Sequence, residues 1–231
     1  MTRTHRFAPP LRIPGMKLGR TALLALGAML LSGCSTPSRS EDVPDPDAPV
    51  VAFYGDSYTL GTGLADLSGR WSTAICAERG WREFNPSVNG LGFVNNRGRG
   101  GDLPELIVAQ HPDIVFVTMG LNDNFSYDVA ADEIKAQITT DFDYLTSELP
   151  DARFIVVEPF WYTDERPESV EIIIDWVHEA ADAIGADWIP DASHWIEGHP
   201  EWMASDGLHP NEDGYAEMTR KMDAALTQLG L

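Results

Sequence analysis

The feature of this sequence that most restricts its fold is an alternation of short, continuous apolar runs with longer segments of helical periodicity. Three runs, VVAFY from residue 50, IVFVTM from residue 114 and FIVV from residue 154, are typical of strands buried on both faces of a sheet. Weaker strand candidates are residues 81–84 and 188–189. Elsewhere apolar residues recur every three or four positions, which predicts helices. These helical stripes are Ile134, Ile138, Phe142, Leu145 and Leu149; Val170, Ile173, Ile174, Val177, Ala181 and Ile184; and Tyr215, Met218, Met222, Leu226 and Leu229.

This alternation predicts an α/β domain built on a mostly parallel sheet of about five strands, with helices covering both sides. We assign residues 50–231 to the domain, because no internal repeat and no Pro/Gly-rich break marks a second one. A chain of this length can bury a full core. In open parallel sheets, binding and catalytic sites lie at the carboxyl ends of the strands. Functional residues are therefore expected in the loops that follow the strands.

The first 49 residues follow a different pattern. Basic residues up to Arg20 precede an apolar stretch of 11 residues, 21–31, which is too short to span a bilayer as an anchor. The sequence LSGC at residues 31–34 then resembles a bacterial lipobox, in which cleavage before the cysteine precedes its lipidation. We expect residues 1–33 to be a lipoprotein signal peptide and Cys34 to carry the lipid. An ordinary signal peptide with a chance cysteine is the alternative.

Residues 34–49 are polar and Pro-rich, which predicts a disordered spacer between the lipid and the domain. The chain would then be exported and held on the outer face of a bacterial membrane. Met16 opens a complete leader by itself, so either Met1 or Met16 fits as the start. With Cys34 lipidated, Cys76 has no partner for a disulfide, and its helical surroundings predict a small buried side chain.

The charge of the exported portion is strongly negative. Residues 1–33 hold five basic and no acidic side chains, so 11 basic and 36 acidic ones remain, a formal charge of −25. Such a surface repels phosphate backbones, which argues against nucleic acid as a partner. Neutral or cationic substrates would approach it more easily than anionic ones. A surface that only keeps an exported protein soluble is the simpler interpretation.

Two of the predicted loops contain residues suited to nucleophilic catalysis. Ser57, in Gly55-Asp56-Ser57, directly follows the first strand run, and Asp206 and His209 lie three residues apart in a loop before the last helix. A serine hydroxyl needs a base to accept its proton, and the base works best when a carboxylate orients it. Each loop also has an ordinary structural interpretation, because turns are rich in Gly, Asp and Ser and either Asp206 or Asn211 could cap the helix.

An oxyanion requires hydrogen-bond donors that are fixed in place before the charge develops. The side-chain amide of Asn122, after the third strand run, and the backbone N–H groups of Gly90 and Ser57 are the candidates. Asparagine and glycine are common in turns, so these residues gain significance only together.

Four blocks of this sequence resemble those of the SGNH/GDSL hydrolases in order and separation: Gly55-Asp56-Ser57, Gly90, Gly120-Leu121-Asn122-Asp123 and Asp206-Gly207-Leu208-His209. The resemblance implies a flavodoxin-like three-layer α/β/α sandwich and hydrolysis of carboxylic esters through an acyl-enzyme. It implies that Ser57 is the nucleophile, His209 the base and Asp206 its orienting carboxylate. The oxyanion hole would comprise Ser57, Gly90 and Asn122, with Gly92 replacing Gly90 if the loop shifts by two residues.

The substrate class stays open among short acyl esters, acetylated glycans and lysolipids, and a monomer is expected. The alternatives are an O-acyltransferase with the same triad and a lipoprotein that binds polysaccharide without turnover. Trp161 and Trp202 are candidate substrate-binding residues, although aromatic residues there can equally cover a core edge. We expect no cofactor and no metal, because His194, His199 and Asp206 lack a recognisable ligand spacing. His111 and His178 are interpreted as a turn residue and a surface residue.

Overall fold

The computed structural model describes residues 45–231, and their centre is a parallel five-stranded sheet in the order β2-β1-β3-β4-β5. All three strong strand predictions and both weaker ones are confirmed to within two residues. The central strands β1, β3 and β4 consist almost entirely of buried apolar residues, as the continuous runs predicted. The edge strands are short and only partly buried. The strands are β1 (Val50–Tyr54), β2 (Arg82–Phe84), β3 (Ile114–Val117), β4 (Arg153–Val157) and β5 (Asp187–Ile189).

Helices cover both faces of this sheet, so the predicted three-layer α/β/α sandwich is confirmed. On one face Val51 and Phe53 of β1 pack with the apolar residues of α2 and α6. On the other face Ala52 and Tyr54 pack with those of α3, α4 and α5. The helices are α1 (Ser57–Leu60), α2 (Trp71–Arg79), α3 (Leu103–Val108), α4 (Tyr127–Glu148), α5 (Glu168–Ile184) and α6 (Glu212–Gln228).

The amino-terminal predictions lie almost entirely outside the described part of the chain. This applies to the signal peptide, to Cys34 and to residues 34–44 of the spacer. The last residues of the predicted spacer form a turn in which Ala48 N–H donates to the Asp45 carbonyl at 3.0 Å. Arg82 binds this turn by donating to the Pro46 carbonyl at 3.0 Å. This turn lies before the predicted boundary at residue 50 and is bound to the first residue of β2.

Cys76 lies in α2 with 2% of its surface exposed, as its helical surroundings predicted. Within residues 45–231, none of the helices is both long and apolar enough to cross a bilayer.

Candidate active site

Ser57 is the first residue of α1, directly after the carboxyl end of β1. Its residue surface is only 4% exposed. Asp56 caps the short helix by accepting a hydrogen bond from Tyr58 N–H at 2.9 Å. Gly55 is required for this tight turn, since a Cβ atom there would lie 2.5 Å from Thr59 Cβ. The Ser57 N–H has no acceptor among residues 45–231, because it precedes the hydrogen-bonded part of α1.

Asp206 and His209 are in contact. His209 Nδ1 lies 2.7 Å from Asp206 Oδ2, and Asp206 Oδ1 accepts hydrogen bonds from Leu208 N–H and His209 N–H at 2.9 and 3.0 Å. The side-chain hydrogen bond to His209 holds the pKa of the Asp206 carboxyl at about 2, and the two backbone donors act in the same direction. Asp206 is therefore ionised over the whole physiological range, and it fixes the ring orientation of His209 through Nδ1. His209 Nε2 remains the nitrogen free for chemistry.

Two tyrosines join the loop of Ser57 to the loop of His209. Tyr58 OH donates to the Leu208 carbonyl at 2.7 Å. Tyr215, in α6, places its OH 3.3 Å from the Ser57 carbonyl and 3.0 Å from that of Thr62. These contacts hold both loops at one edge of the sheet. No hydrogen bond joins Ser57 Oγ to His209 in this part of the chain, and such contacts commonly tighten only when substrate binds.

Asn122 lies in the turn after β3 and is 7% exposed. Its Nδ2 donates to Asp56 Oδ2 at 3.0 Å and to the Leu91 carbonyl at 2.9 Å. The amide thus joins the turn of Ser57 to the loop of Gly90. Both amide hydrogens are in use, so an oxyanion bound here would share one of them.

Two buried carboxylates lie beside Asn122. Burial raises the pKa of the Asp56 carboxyl to about 7, and the charge of Asp123 acts in the same direction. Asp123 accepts hydrogen bonds from the N–H groups of Phe93, Val94 and Asn95 at 2.7, 2.9 and 3.2 Å. Burial also raises its pKa. Asp123 therefore shapes the loop of Gly90, while Asp56 orients Asn122.

The geometry distinguishes Gly90 from Gly92. The N–H of Gly92 is engaged with the Asn95 carbonyl at 2.8 Å, and a Cβ atom on Gly92 would lie 2.5 Å from Asp123 Oδ1. The Gly90 N–H, by contrast, has no acceptor within residues 45–231, and its φ of +73° is readily adopted only by glycine. Of the two glycines, only Gly90 offers a free donor.

The predicted aromatic substrate contacts need one correction. Trp161 is 2% exposed, and its indole N–H lies 2.9 Å from Thr163 Oγ1 and 3.0 Å from the Glu165 carbonyl. Trp161 therefore belongs to the core, and neighbours in the same loop satisfy its indole N–H there. Trp202 is half-buried and stacks on the His199 ring with the centroids 3.6 Å apart. A substrate-binding role for Trp202 stays a prediction.

The remaining histidines occupy structural positions. His194 and His199 contact Glu197 and Glu201, respectively. His178 stacks on Trp188 and lies 3.7 Å from Asp182. His111 adopts a positive φ of 47° in the turn before β3. Within residues 45–231, no group of three His, Cys, Asp or Glu side chains is arranged to hold a metal ion.

A cleft of about 800 Å³ borders the loop of Asp206. One side is formed by Ala204, Ser205 and Gly207, the immediate neighbours of Asp206. The opposite side is the loop after β4, residues 162–167, which contributes both apolar and acidic side chains. The sequence pattern did not predict this cleft, because it lies between two loops that lack periodicity.

Asp56 and Tyr58 are residues of the candidate site to which the sequence patterns assigned no role. Each flanks Ser57, and each carries a polar group directly after a buried strand. That position in the sequence was the available indication of a role in the site. Their partners could not be predicted, because Asn122 is 66 residues from Asp56 and Leu208 is 150 residues from Tyr58.

Comparison with known proteins agrees with this fold. The model of the GDSL-like lipase/acylhydrolase family matches residues 53–217. A GDSL lipase of Mycobacterium tuberculosis is 31% identical over 182 residues, covering 74% of this chain and 79% of the relative. The structure of the esterase EstA from Pseudoalteromonas is similar with a TM-score of 0.64 at 16% identity, covering 78% of this chain and 98% of that one. An acetyl-xylooligosaccharide esterase from Geobacillus gives a TM-score of 0.59 at 20% identity, covering 77% and 93%.

Proposed function

The chain belongs to the GDSL-like lipase/acylhydrolase family and is a carboxylic ester hydrolase, and we propose that Ser57, His209 and Asp206 form its catalytic triad. The observation that carries this proposal is the 2.7 Å contact between His209 Nδ1 and Asp206, in a loop that Tyr58 ties to the turn of Ser57. Each side chain is thereby available for the role that ester hydrolysis requires of it.

In the proposed reaction, Ser57 Oγ attacks the ester carbonyl carbon while His209 Nε2 accepts the hydroxyl proton. The tetrahedral intermediate collapses as the C–O bond to the alcohol breaks, and His209 returns the proton to the departing alkoxide. Water then attacks the acyl-enzyme with His209 as the base, which releases the carboxylic acid and restores Ser57. The ionised Asp206 stabilises the imidazolium formed in each step.

The oxyanion would be bound by the N–H groups of Ser57 and Gly90 and by the Asn122 amide. The two backbone donors have no other acceptor among residues 45–231, so they are available before the charge develops. Asn122 is held in place by Asp56 and by the Leu91 carbonyl. Donors fixed in this way need no reorganisation when the intermediate forms.

The cleft beside Asp206 is the proposed site for one part of the substrate. Its volume of about 800 Å³ accommodates a small glycan or a short acyl chain. The Geobacillus relative is named for acetyl-xylooligosaccharides, which supports an acetylated glycan among the candidate substrates. We further propose that the enzyme acts outside the cytoplasm, anchored through a lipid on Cys34; the lipobox sequence supports this location.

The test is turnover of a simple acetyl ester by purified wild type and Ser57→Ala. Loss of a triad member lowers kcat by about 10⁴-fold or more. Ser68→Ala, in the exposed turn after α1, is the matched control and should retain wild-type turnover. Near-normal turnover by folded Ser57→Ala would refute the proposed nucleophile.

A further inference from the structure

The segment that carries Gly90 also carries an arginine at the edge of the proposed oxyanion hole. Arg99 Nη1 lies 3.8 Å from the position that a Cβ atom on Gly90 would occupy. The residue after Gly90 is Leu91, whose carbonyl accepts one hydrogen of the Asn122 amide. The Arg99 guanidinium is therefore adjacent to Gly90, whose N–H is one of the donors that would bind the substrate carbonyl.

The path of the chain fixes this position. Two residues earlier, Arg97 points inward and binds Asp141 with both ends of its guanidinium, at 2.7 and 2.8 Å. The Arg99 N–H closes a turn onto the Asn96 carbonyl at 3.1 Å. Asn96 Nδ2 in turn donates to the Gly90 carbonyl at 2.8 Å. The Asn96 side chain thus ties this loop to Gly90, and the exposed Arg99 side chain lies beside that glycine.

Arg99 differs from the other cations of the described chain. Of the ten arginine and lysine side chains in residues 45–231, eight lie within 4.0 Å of a carboxylate. A ninth, Arg82, donates to the Pro46 carbonyl. The Arg99 guanidinium has no hydrogen-bond acceptor and no carboxylate among these residues, although acidic side chains greatly outnumber basic ones.

From this geometry we propose that Arg99 binds an anionic group of the substrate, a carboxylate or a phosphate a few bonds from the ester carbonyl. The proposal rests on the proposed function, since it assigns a substrate class to the same site. Guanidinium groups bind carboxylate and phosphate oxygens through two parallel hydrogen bonds, which gives both energy and orientation. The negative surface disfavours anions in general, so a local cation at the site would select esters that present their charge there.

The experiment measures kcat/KM for three sets of esters, its three arms, which differ in the kind and the position of the anionic group. Methyl 4-acetoxybenzoate and 4-acetoxybenzoate test a carboxylate on the alcohol side, and 4-acetoxyphenyl phosphate tests a phosphate there. The 4-nitrophenyl monoester of glutaric acid, compared with its methyl ester, tests a carboxylate on the acyl side. The enzymes are wild type, Arg99→Gln, Arg99→Lys and Arg82→Gln, and the last removes an equal charge at the start of β2, the opposite end of the sheet.

We compare kcat/KM for the anionic ester with kcat/KM for the neutral ester. We expect Arg99→Gln to lower this ratio by about tenfold in the arm whose anion reaches the guanidinium. Most of the change should fall in KM. Arg99→Lys should retain part of the ratio, and Arg82→Gln should retain all of it. An unchanged ratio in every arm would overturn the proposal. So would an equal loss for neutral and anionic esters, because that result would assign Arg99 to the oxyanion instead. Absence of wild-type turnover of the neutral esters would count against the proposed function itself.

Discussion

At the scale of single residues, the contact between Asp56 and Asn122 links the turn of Ser57 to the proposed oxyanion hole. Asp56 is fully buried, and its carboxylate accepts from the Tyr58 N–H and from the Asn122 amide. Two hydrogen bonds only partly offset the loss of hydration, so the carboxyl keeps a pKa of about 7. Asp56 therefore titrates within the range in which the enzyme is expected to act.

This pKa has a consequence for stability. An aspartate in the unfolded chain has a pKa of about 3.9, whereas folded Asp56 has a pKa of about 7. Between these values the unfolded chain releases a proton that the folded chain retains, so stability falls as pH rises and levels off above the folded pKa. We predict that Asp56→Asn loses less stability than wild type across this interval. The measurement is the urea midpoint of both proteins at the two ends of the window.

The other titrating groups are common to both proteins, but Asp123, whose charge raises the pKa of Asp56, responds to the substitution, so the comparison reports this coupled pair. Asp206 does not affect this comparison. Its folded pKa of about 2 lies below the unfolded value of about 3.9, so its contribution to folding stability is lost only as the pH falls below the unfolded value. Parallel pH profiles for wild type and Asp56→Asn would show that Asp56 is not the group that retains the proton.

At the scale of elements, the segment between β2 and α3 supplies Gly90 and Arg99 without regular secondary structure of its own. Its shape depends on side-chain contacts from other elements. Asp141 of α4 binds Arg97 and accepts from Tyr54 OH at 2.7 Å, and Asp123 binds three backbone N–H groups of the segment. These contacts fix the position of the loop that carries Gly90.

We predict that Asp141→Ala destabilises the protein by about 3 kcal/mol, because it leaves the Arg97 guanidinium and the Tyr54 hydroxyl without their shared acceptor. The control is Asp187→Ala, which breaks a half-exposed pair with Arg153 and should cost less than about 1 kcal/mol. Free energies of unfolding from urea titrations decide between them. Equal losses for the two variants would show that the buried pair does not anchor the segment.

The same scale explains which elements could be predicted. The central strands were predictable because they are buried on both faces, and α5 was predictable because its apolar stripe packs directly on the sheet. The edge strands gave weaker indications, since they are short and half-exposed. The segment before α3 could not be predicted. Buried contacts with Asp123 and Asp141 determine its shape, and such contacts produce no periodic pattern in the sequence. The role of Trp161 stayed open between substrate binding and covering a core edge for a related reason, because composition does not distinguish a cleft wall from the core beneath it.

At the scale of the whole molecule, we propose that a lipid anchor holds the negatively charged catalytic domain at a membrane. The anchor rests on the sequence of residues 31–34, which lie outside the described structure. We predict that Cys34→Ser moves the protein from the detergent phase to the aqueous phase while ester turnover is retained. Phase partitioning combined with an esterase assay measures both properties.

The matched control is Cys76→Ala, which changes the buried cysteine of α2 and should leave partitioning as in wild type. Retention of Cys34→Ser in the detergent phase would refute lipidation as the means of attachment.

The most direct test of the central claim is to identify the residue that reacts with a fluorophosphonate, which captures a serine nucleophile activated by its base. Treated protein would be digested, and the modified peptide would be sequenced by mass spectrometry. We expect one phosphonyl group per molecule, on Ser57, with ester turnover lost in proportion to labelling. A label on another residue, or continued turnover after complete labelling of Ser57, would contradict this expectation.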